Sequence, residues 1–394
     1  MSTSPAPVFP LATSTWDDAE LAALQAVIAG GRFTMGPKVA QFERLAAEAF
    51  GVGNAVMVNS GSSANLLAVA AAVLDPQIPL EPGDEVLVPA VSWATTYYPL
   101  QQYGLKLVFV DVDLDTLNID LVKAAEAVTD RTRAVFAVNL LGNPVDYRAL
   151  QALCDAHDLL LLEDNCESLG ATFEGRFAGT FGTMGTLSTF FSHHISTMEG
   201  GLVLTDDERL RQMLVSLRAH GWTRELPVEN HVHPKTGDAF DDLFRFVLPG
   251  YNVRPLEMSG ALGIEQIAKV PALVAGRRAN AVYFHERMAD LPEVRLQREV
   301  GESSWFGFSL VLEGPLAGRR REVVTALTAA GIESRPIVGG NFTRNPVMRY
   351  LDATVPEQLP AADTVHDDGL FVGNHHYPVH AGIDLLHDTL AGLV

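Results

Sequence analysis

The sequence predicts an α/β protein with a mostly parallel central sheet flanked by helices, followed by a smaller C-terminal α+β unit. Two observations carry that reading. From residue 54 to residue 163, short apolar runs alternate with helical runs across short turns, and parallel strands need such crossovers. At 394 residues the chain exceeds what one core usually holds. Two domains are therefore expected, a large one at 1–270 and a small one at 271–394. Apolar residues make up 47% and charged residues 19%, as in a compact enzyme.

Charge and cysteine content exclude several function classes. A net charge of −20 without a basic stripe argues against nucleic-acid binding. Two cysteines, Cys154 and Cys166, are too few for a disulfide framework, a four-cysteine zinc site or an iron–sulfur cluster. The start MSTSPAPVFP has neither a basic nor an apolar leader region, and no apolar run reaches the ~18 residues of a membrane span. A cytoplasmic protein that does not engage a membrane is expected.

Taken in order, residues 16–30 form an amphipathic helix, with Leu21, Leu24, Val27 and Ile28 on one face and Asp17 and Asp18 in the first turn. Gly30-Gly31 ends it, and Pro37 starts a second helix that runs to about residue 50. The loop between them is either a plain connection or a pocket rim of backbone amides. A strand at 55–58 breaks into Asn59-Ser60-Gly61-Ser62-Ser63, followed by helical residues 66–73. A Ser/Gly turn at a helix N-terminus suits an anion, and equally suits ordinary capping. Neither a Walker lysine nor a GxGxxG pattern is present.

A strand at 85–88 leads to Trp93, which reads either as core or as a stacking platform. The strand at 107–110 ends in Asp111-Val112-Asp113-Leu114-Asp115, but Thr116 and Val122 occupy positions where a calcium loop needs Gly and Glu. A helix (119–128), a strand (134–140), a helix (145–156) and a strand (159–163) follow. The loops after residues 58, 88, 140 and 163 are expected to converge on one crevice at the carboxyl ends of the strands. Asp164 closes the last strand, either capping a turn or pairing with a buried cation.

An apolar run through residue 191 then stops at His193-His194, and Gly200-Gly201 opens another at 202–204. Strand, polar loop, strand is an arrangement that aims side chains rigidly. Without context, a His-His pair is usually a surface or hydrogen-bonding feature. His231-Val232-His233 and His375-His376 lack accompanying carboxylates or cysteines at ligand spacing, so no metal site is expected. Asp206-Asp207 caps a helix to about residue 219, and residues 225–240 are a polar excursion. A helix to about residue 268 and a separate long helix at 271–290 lead to the small unit. There, strands at 293–297, 306–312 and 332–335 are expected, with helices at 318–330 and after residue 382.

Ser60-Gly61-Ser62, Trp93, Glu163-Asp164-Asn165, Ser188 and the His193 loop stand in an order that resembles the DegT/DnrJ/EryC1/StrS group over essentially the whole chain. The resemblance implies the aspartate-aminotransferase (pyridoxal phosphate, PLP, type I) fold. In that group the residue eight before the second glycine of the loop is the lysine that binds PLP covalently; here it is His193. Ser192-His193-His194-Ile195 followed by Met198-Glu199-Gly200-Gly201 is similar to the sugar 3-dehydratases that exchanged this lysine for histidine. The CDP-sugar members also carry an iron–sulfur cluster, which two cysteines cannot ligate, so the resemblance favours the GDP-sugar type.

Carried over by position, Gly61, Ser62 and Ser188 would hold the cofactor phosphate, and Asn252 would reach it from the other subunit of a homodimer. Trp93 would stack on the ring, Asp164 would pair with its nitrogen and Glu167 would contact its substituents. Arg254 and Glu333 resemble contacts to the amino-acid cosubstrate, while Arg224 and the loop Gly31, Arg32, Phe33 and Thr34 resemble nucleotide contacts. His193 would move protons, with His220 as a second acid/base or positioning group.

The implied reaction removes the C3 hydroxyl of a GDP-linked 4-keto-6-deoxy sugar. Pyridoxamine phosphate (PMP) is the working reagent, L-glutamate regenerates it as 2-oxoglutarate forms, and ammonia leaves, a step of lipopolysaccharide O-antigen deoxysugar synthesis. An imidazole cannot bind PLP covalently but can carry protons near neutral pH. Two alternatives stay open. An aminotransferase, or a dehydratase for another nucleotide-linked 4-keto sugar, is one; the transferase would need a lysine, and none of the five lysines follows the acid-bearing strand in a comparable loop. A catalytically inactive sugar-nucleotide-binding relative is the other.

Overall fold

The computed structural model describes residues 7–394; the first six residues, on which the leader expectation falls, lie outside the described residues. Helix α1 (Asp18–Gly30) opens with a capping box between Asp17 and Glu20 and ends at Gly31, whose φ of 68° suits glycine. Helix α2 (Pro37–Phe50) starts on proline, as its sequence requires. The alternating region follows: β1 (Asn54–Val58), α3 (Gly61–Leu74), β2 (Glu85–Pro89), α4 (Ala94–Gln102), β3 (Lys106–Val110), α5 (Leu121–Glu126), β4 (Thr132–Val138), α6 (Tyr147–His157) and β5 (Leu160–Asp164). A small hairpin, β6 (Thr172–Phe173) and β7 (Arg176–Phe177), precedes β8 (Met184–Ser188), β9 (Gly201–Thr205) and α7 (Glu208–Leu217).

The rest comprises α8 (Glu257–Met288), β10 (Val294–Leu296), β11 (Gly307–Leu312), α9 (Arg320–Ala329), β12 (Ser334–Arg335), β13 (Ala353–Thr354), α10 (Pro360–Asp368), β14 (Gly369–Gly373) and α11 (His380–Ala391). The large sheet has the order β1-β9-β8-β5-β4-β2-β3-β13, and a second, antiparallel sheet has the order β10-β11-β14-β12. Only β9 runs against its neighbours in the large sheet, because the loop from β8 returns directly without a crossover helix. Alternate strand residues serve opposite faces. Val86, Val88, Leu107, Phe109 and Phe136 pack toward α3, while Leu87, Val108, Val110 and Val135 pack toward Tyr147, Leu150 and Leu153 of α6. Among the described residues, no helix is long and apolar enough to cross a membrane.

Several elements differ from expectation. Helix α4 was not expected after Trp93, since it contains Thr95, Thr96 and Pro99; burial of Thr96, Tyr97 and Leu100 overrides these weak helix formers. Helices expected at 257–268 and 271–290 are one continuous helix, α8, running through Pro271 and packed on α1 and α2. Strands β13 and β14 were not expected either, and β13 carries the C-terminal region back onto the edge of the large sheet, with Ala353 opposite Leu107. The apolar run toward the histidines leaves the sheet at Ser188.

Strand β4 also ends early, at Val138, in a tight turn where Leu141 has φ 53° and Gly142 has φ 96°. A Cβ on Gly142 would stand 2.4 Å from the Trp305 amide nitrogen, whereas at Gly83 (φ 95°) it would meet nothing within 4 Å. Gly83→Ala is therefore expected to cost ~1 kcal/mol from backbone strain alone, and Gly142→Ala ~3 kcal/mol because a clash is added. Urea denaturation of both variants measures the difference.

Candidate active site

The carboxyl ends of β1, β2, β4, β5 and β8 surround one cavity of about 540 Å³, closed from the other side by Arg335, Val338, Phe371 and Phe306 and by Leu11 and Ala12 of the N-terminal segment. Its floor is the start of α3. Ser60 caps that helix, its hydroxyl accepting from the Ser63 amide at 3.1 Å, so the preceding amides remain free of intrahelical partners. Backbones meet closely here. A Cβ on Gly201 would lie 2.5 Å from the Ser60 carbonyl carbon, and one on Gly61 would lie 2.7 Å from the Ser188 Cβ. The Ser62 hydroxyl donates to Thr95 Oγ1 at 3.2 Å, and buried Ser188 accepts from the Phe190 amide at 3.3 Å. Free amides with hydroxyls at a helix N-terminus form an anion cradle.

Above this cradle stands a buried carboxylate. Asp164 Oδ2 accepts from Asn65 Nδ2 and from Thr96 Oγ1, both at 2.7 Å, and Oδ1 accepts from the Cys166 amide at 3.2 Å. Asn65 is itself oriented by Thr186, whose hydroxyl donates to its carbonyl oxygen at 2.6 Å. No cationic side chain pairs with Asp164 among the described residues, which suits a positively charged ligand group in the cavity. Trp93, at the N-cap of α4, is 58% exposed and lines the same space, so it is not a core residue. Glu167 accepts from the Leu141 amide at 3.1 Å; burial, reinforced by the Asp164 charge, raises its carboxyl to about 7.

The loop between β8 and β9 is stiff. The Thr189 and Thr197 hydroxyls meet at 2.6 Å, and backbone bonds join Thr189 to Gly200 and Phe191 to Met198. Its outer edge is tied by Trp16 Nε1, which donates to the Ser196 carbonyl at 2.9 Å. His193 Nδ1 lies 2.8 Å from the Cys166 carbonyl oxygen, and a carbonyl only accepts, so Nδ1 carries the proton and Nε2 keeps its lone pair. Burial holds the imidazole down to about 4; the Cys166 carbonyl and Asp164 oppose this, and Arg277 reinforces it. His194 is buried, donates from Nε2 to the Ser304 carbonyl at 3.0 Å and does not line the cavity.

Seven expected site residues thus share one cavity: Gly61, Ser62, Trp93, Asp164, Glu167, Ser188 and His193. The others lie elsewhere in the chain. The His220 amide donates to the Tyr251 carbonyl at 2.6 Å, and its ring lies 5.1 Å from Trp222. The Arg224 guanidinium stands 4.0 Å above that indole and Arg254 5.7 Å from it, while Arg254 Nε donates to Asn252 at 3.0 Å. The loop Gly31, Arg32, Phe33 and Thr34 pairs with the start of α8, Thr34 with Leu256 and the Glu257 amide donating to the Phe33 carbonyl, and does not line the cavity. Glu333 accepts from the Leu11 amide at 2.9 Å and so holds the N-terminal segment. Asn65, Thr96, Phe306 and Arg335 had no assigned role in the sequence, although Asn65 lies in the Ser/Gly turn and Arg335 precedes a proline at a strand end.

Residues 14–380 match the model of the DegT/DnrJ/EryC1/StrS aminotransferase family. The chain is 53% identical over 384 residues to the GDP-4-keto-6-deoxy-D-mannose 3-dehydratase of Escherichia coli O55:H7, covering 97% of this chain and 99% of that one. Among solved structures, it is similar to a His-to-Asn mutant of GDP-4-keto-6-deoxymannose-3-dehydratase with bound GDP-perosamine, at TM-score 0.95 and 53% identity over 97% of this chain and 100% of that one. A structure of GDP-4-keto-6-deoxymannose-3-dehydratase with a trapped PLP–glutamate geminal diamine matches with the same TM-score, 0.95, identity, 53%, and coverage, 97% and 100%.

Proposed function

The chain belongs to the DegT/DnrJ/EryC1/StrS aminotransferase family, and on that premise we propose that it removes the C3 hydroxyl of GDP-4-keto-6-deoxy-D-mannose. The product is GDP-4-keto-3,6-dideoxy-D-mannose. L-Glutamate supplies two electrons and leaves as 2-oxoglutarate and ammonia, so atoms and electrons balance. The single observation that carries this reading is His193: a proton-carrying group without an amine stands where the family places its lysine, and none of the five lysines lines the cavity.

The cavity suits PLP and PMP. The free amides at Gly61 and Ser62, with Ser188, would hold the phosphate; Asp164 would pair with the ring nitrogen; Trp93 and Glu167 would contact the ring and its substituents. Once bound, the cofactor supplies an amine for the C4 ketone and an electron sink for breaking the C3–O bond. His193 takes a proton on Nε2 and returns it, while its Nδ1–H stays on the Cys166 carbonyl and fixes the tautomer. Glu167, raised to about 7, lines the same cavity and is partly protonated at neutral pH. His220, Asn252, Arg224, Arg254 and the 31–34 loop would serve the cavity of a partner in a homodimer. Cysteine scarcity, with both thiols free, supports a cytoplasmic setting.

The sign of the pH dependence follows from the His193 imidazole. Its neutral form accepts the proton, and its midpoint is lowered from the ordinary 6.5 to about 4. The acid limb of kcat/KM set by this group is therefore expected near 4 rather than near 6.5, which a pH–rate profile measures. Borohydride treatment of the PLP-loaded protein, followed by intact mass, tests the lysine-free cavity. An unchanged protein mass is expected; gain of a pyridoxyl group would overturn the reading and return the chain to the lysine-dependent aminotransferases.

A further inference from the structure

Arg277 on α8 is 5% exposed, yet no carboxylate faces it among the described residues. Its Nη1 donates instead to the carbonyls of Phe306 at 2.9 Å, Asn374 at 2.6 Å and Trp305 at 3.4 Å. A buried cation without an anion is costly, and here it ties main-chain carbonyls of two separate segments to α8. The opposite side of the first segment is also pinned. The Ser304 amide and Ser303 hydroxyl donate to the Gly142 carbonyl at 2.9 and 2.8 Å, and the Phe306 amide donates to Leu141 at 3.0 Å. Trp305 is held between them at φ 48°, a strained value for a large side chain.

This framework presents the Phe306 ring. Its centroid lies 5.1 Å from that of His193 and 5.7 Å from that of His194, and it forms part of the cavity wall. Resting on His193 as the proton carrier, we propose that Phe306, clamped through its main chain by Arg277, is a positioning residue that sets the orientation of the His193 imidazole and shields it from water. Of the charged and titratable groups around this imidazole, Asp164 from the end of β5 and Arg277 from behind Phe306 act on it, and His194 neighbours it on its own loop; Glu167, Glu199 of the same loop and Arg335 line the cavity it faces. Burial is the strongest influence and Arg277 acts with it, so loosening the clamp should raise the midpoint.

The test is an NMR titration of imidazole-labelled, cofactor-free protein, with His193 assigned by His193→Asn. In the unmodified chain, titration near 4 in the Nδ1–H tautomer is expected. Phe306→Leu, which keeps an apolar side chain, and Arg277→Gln, which removes the charge, are each expected to raise the midpoint by ~1 pH unit or more. Phe306→Leu should also lower kcat for dehydration by ~10-fold through misplacement of the imidazole, with KM little changed. A folded Phe306→Leu protein with an unaltered His193 midpoint and tautomer would overturn the proposal, whether or not Arg277→Gln folds. If the substrate assignment fails, the unmodified chain shows no dehydration while the titration still reports on the clamp, so the two failures are distinguishable.

Discussion

His193→Asn is expected to lower dehydration by about 10³-fold, within the range set by loss of a positioned general base. Asparagine can still donate to the Cys166 carbonyl, so the loop between β8 and β9 keeps the bond that His193 makes at 2.8 Å. What disappears is a nitrogen able to take and return a proton. The anion cradle at Gly61 and Ser62 and the Asp164 carboxylate do not depend on the imidazole, so PLP affinity should change by less than about threefold, under 1 kcal/mol. Rate and affinity therefore separate in this variant. Equal losses of both would mean that His193 holds the cofactor rather than moves protons. Retention of the rate would remove it from the chemistry.

Asp164→Ala is expected to act on both quantities. Its carboxylate is 5% exposed, accepts hydrogen bonds from Asn65, Thr96 and the Cys166 amide, and lacks a cationic protein partner among the described residues. Breaking a buried pair between this anion and a protonated ring costs about 3 kcal/mol, or about a hundredfold in PLP affinity. The donors on Asn65 and Thr96 lose their acceptor as well, adding to the penalty. Dehydration at saturating cofactor should fall by a further ~10²-fold, because the ring nitrogen loses the charge that keeps it protonated. Equilibrium titration with PLP and single-turnover rates measure the two effects separately. A variant with unchanged affinity would show that Asp164 only caps the turn before Cys166.

Much of this arrangement was legible because its chemistry sits in short stretches at strand ends. Ser60-Gly61-Ser62 follows β1, Trp93 follows β2, Asp164 ends β5 and His193 follows β8, so parallel strands bring them together without further information. Elements defined by contact were harder to read. Helix α4 contains Thr95, Thr96 and Pro99 and persists because its buried side chains pack, a condition local propensity does not register. Pro271 signals a break, but α8 is supported along both α1 and α2. Strand β13 is two residues long and exists through pairing with β3.

The same limit applies to the site. Asn65 and Thr96 become partners of Asp164 only because α3 and α4 begin side by side, and Phe306 reaches His193 from a distant part of the chain. Arg335 enters the cavity from β12, whereas Glu333 on its approach turns to the Leu11 amide. Arg254 and Asn252 were associated with the cavity through family resemblance, and in the single chain they join His220 and Arg224 around Trp222 instead.

The most direct measurement is the mass of the nucleotide sugar after incubation of the protein with GDP-4-keto-6-deoxy-D-mannose, PLP and L-glutamate, with ammonia and 2-oxoglutarate assayed in parallel. Loss of one oxygen from the sugar, with ammonia and 2-oxoglutarate formed in equal amounts, is the predicted result. An amino sugar, with nitrogen retained in the product and no ammonia released, would contradict it.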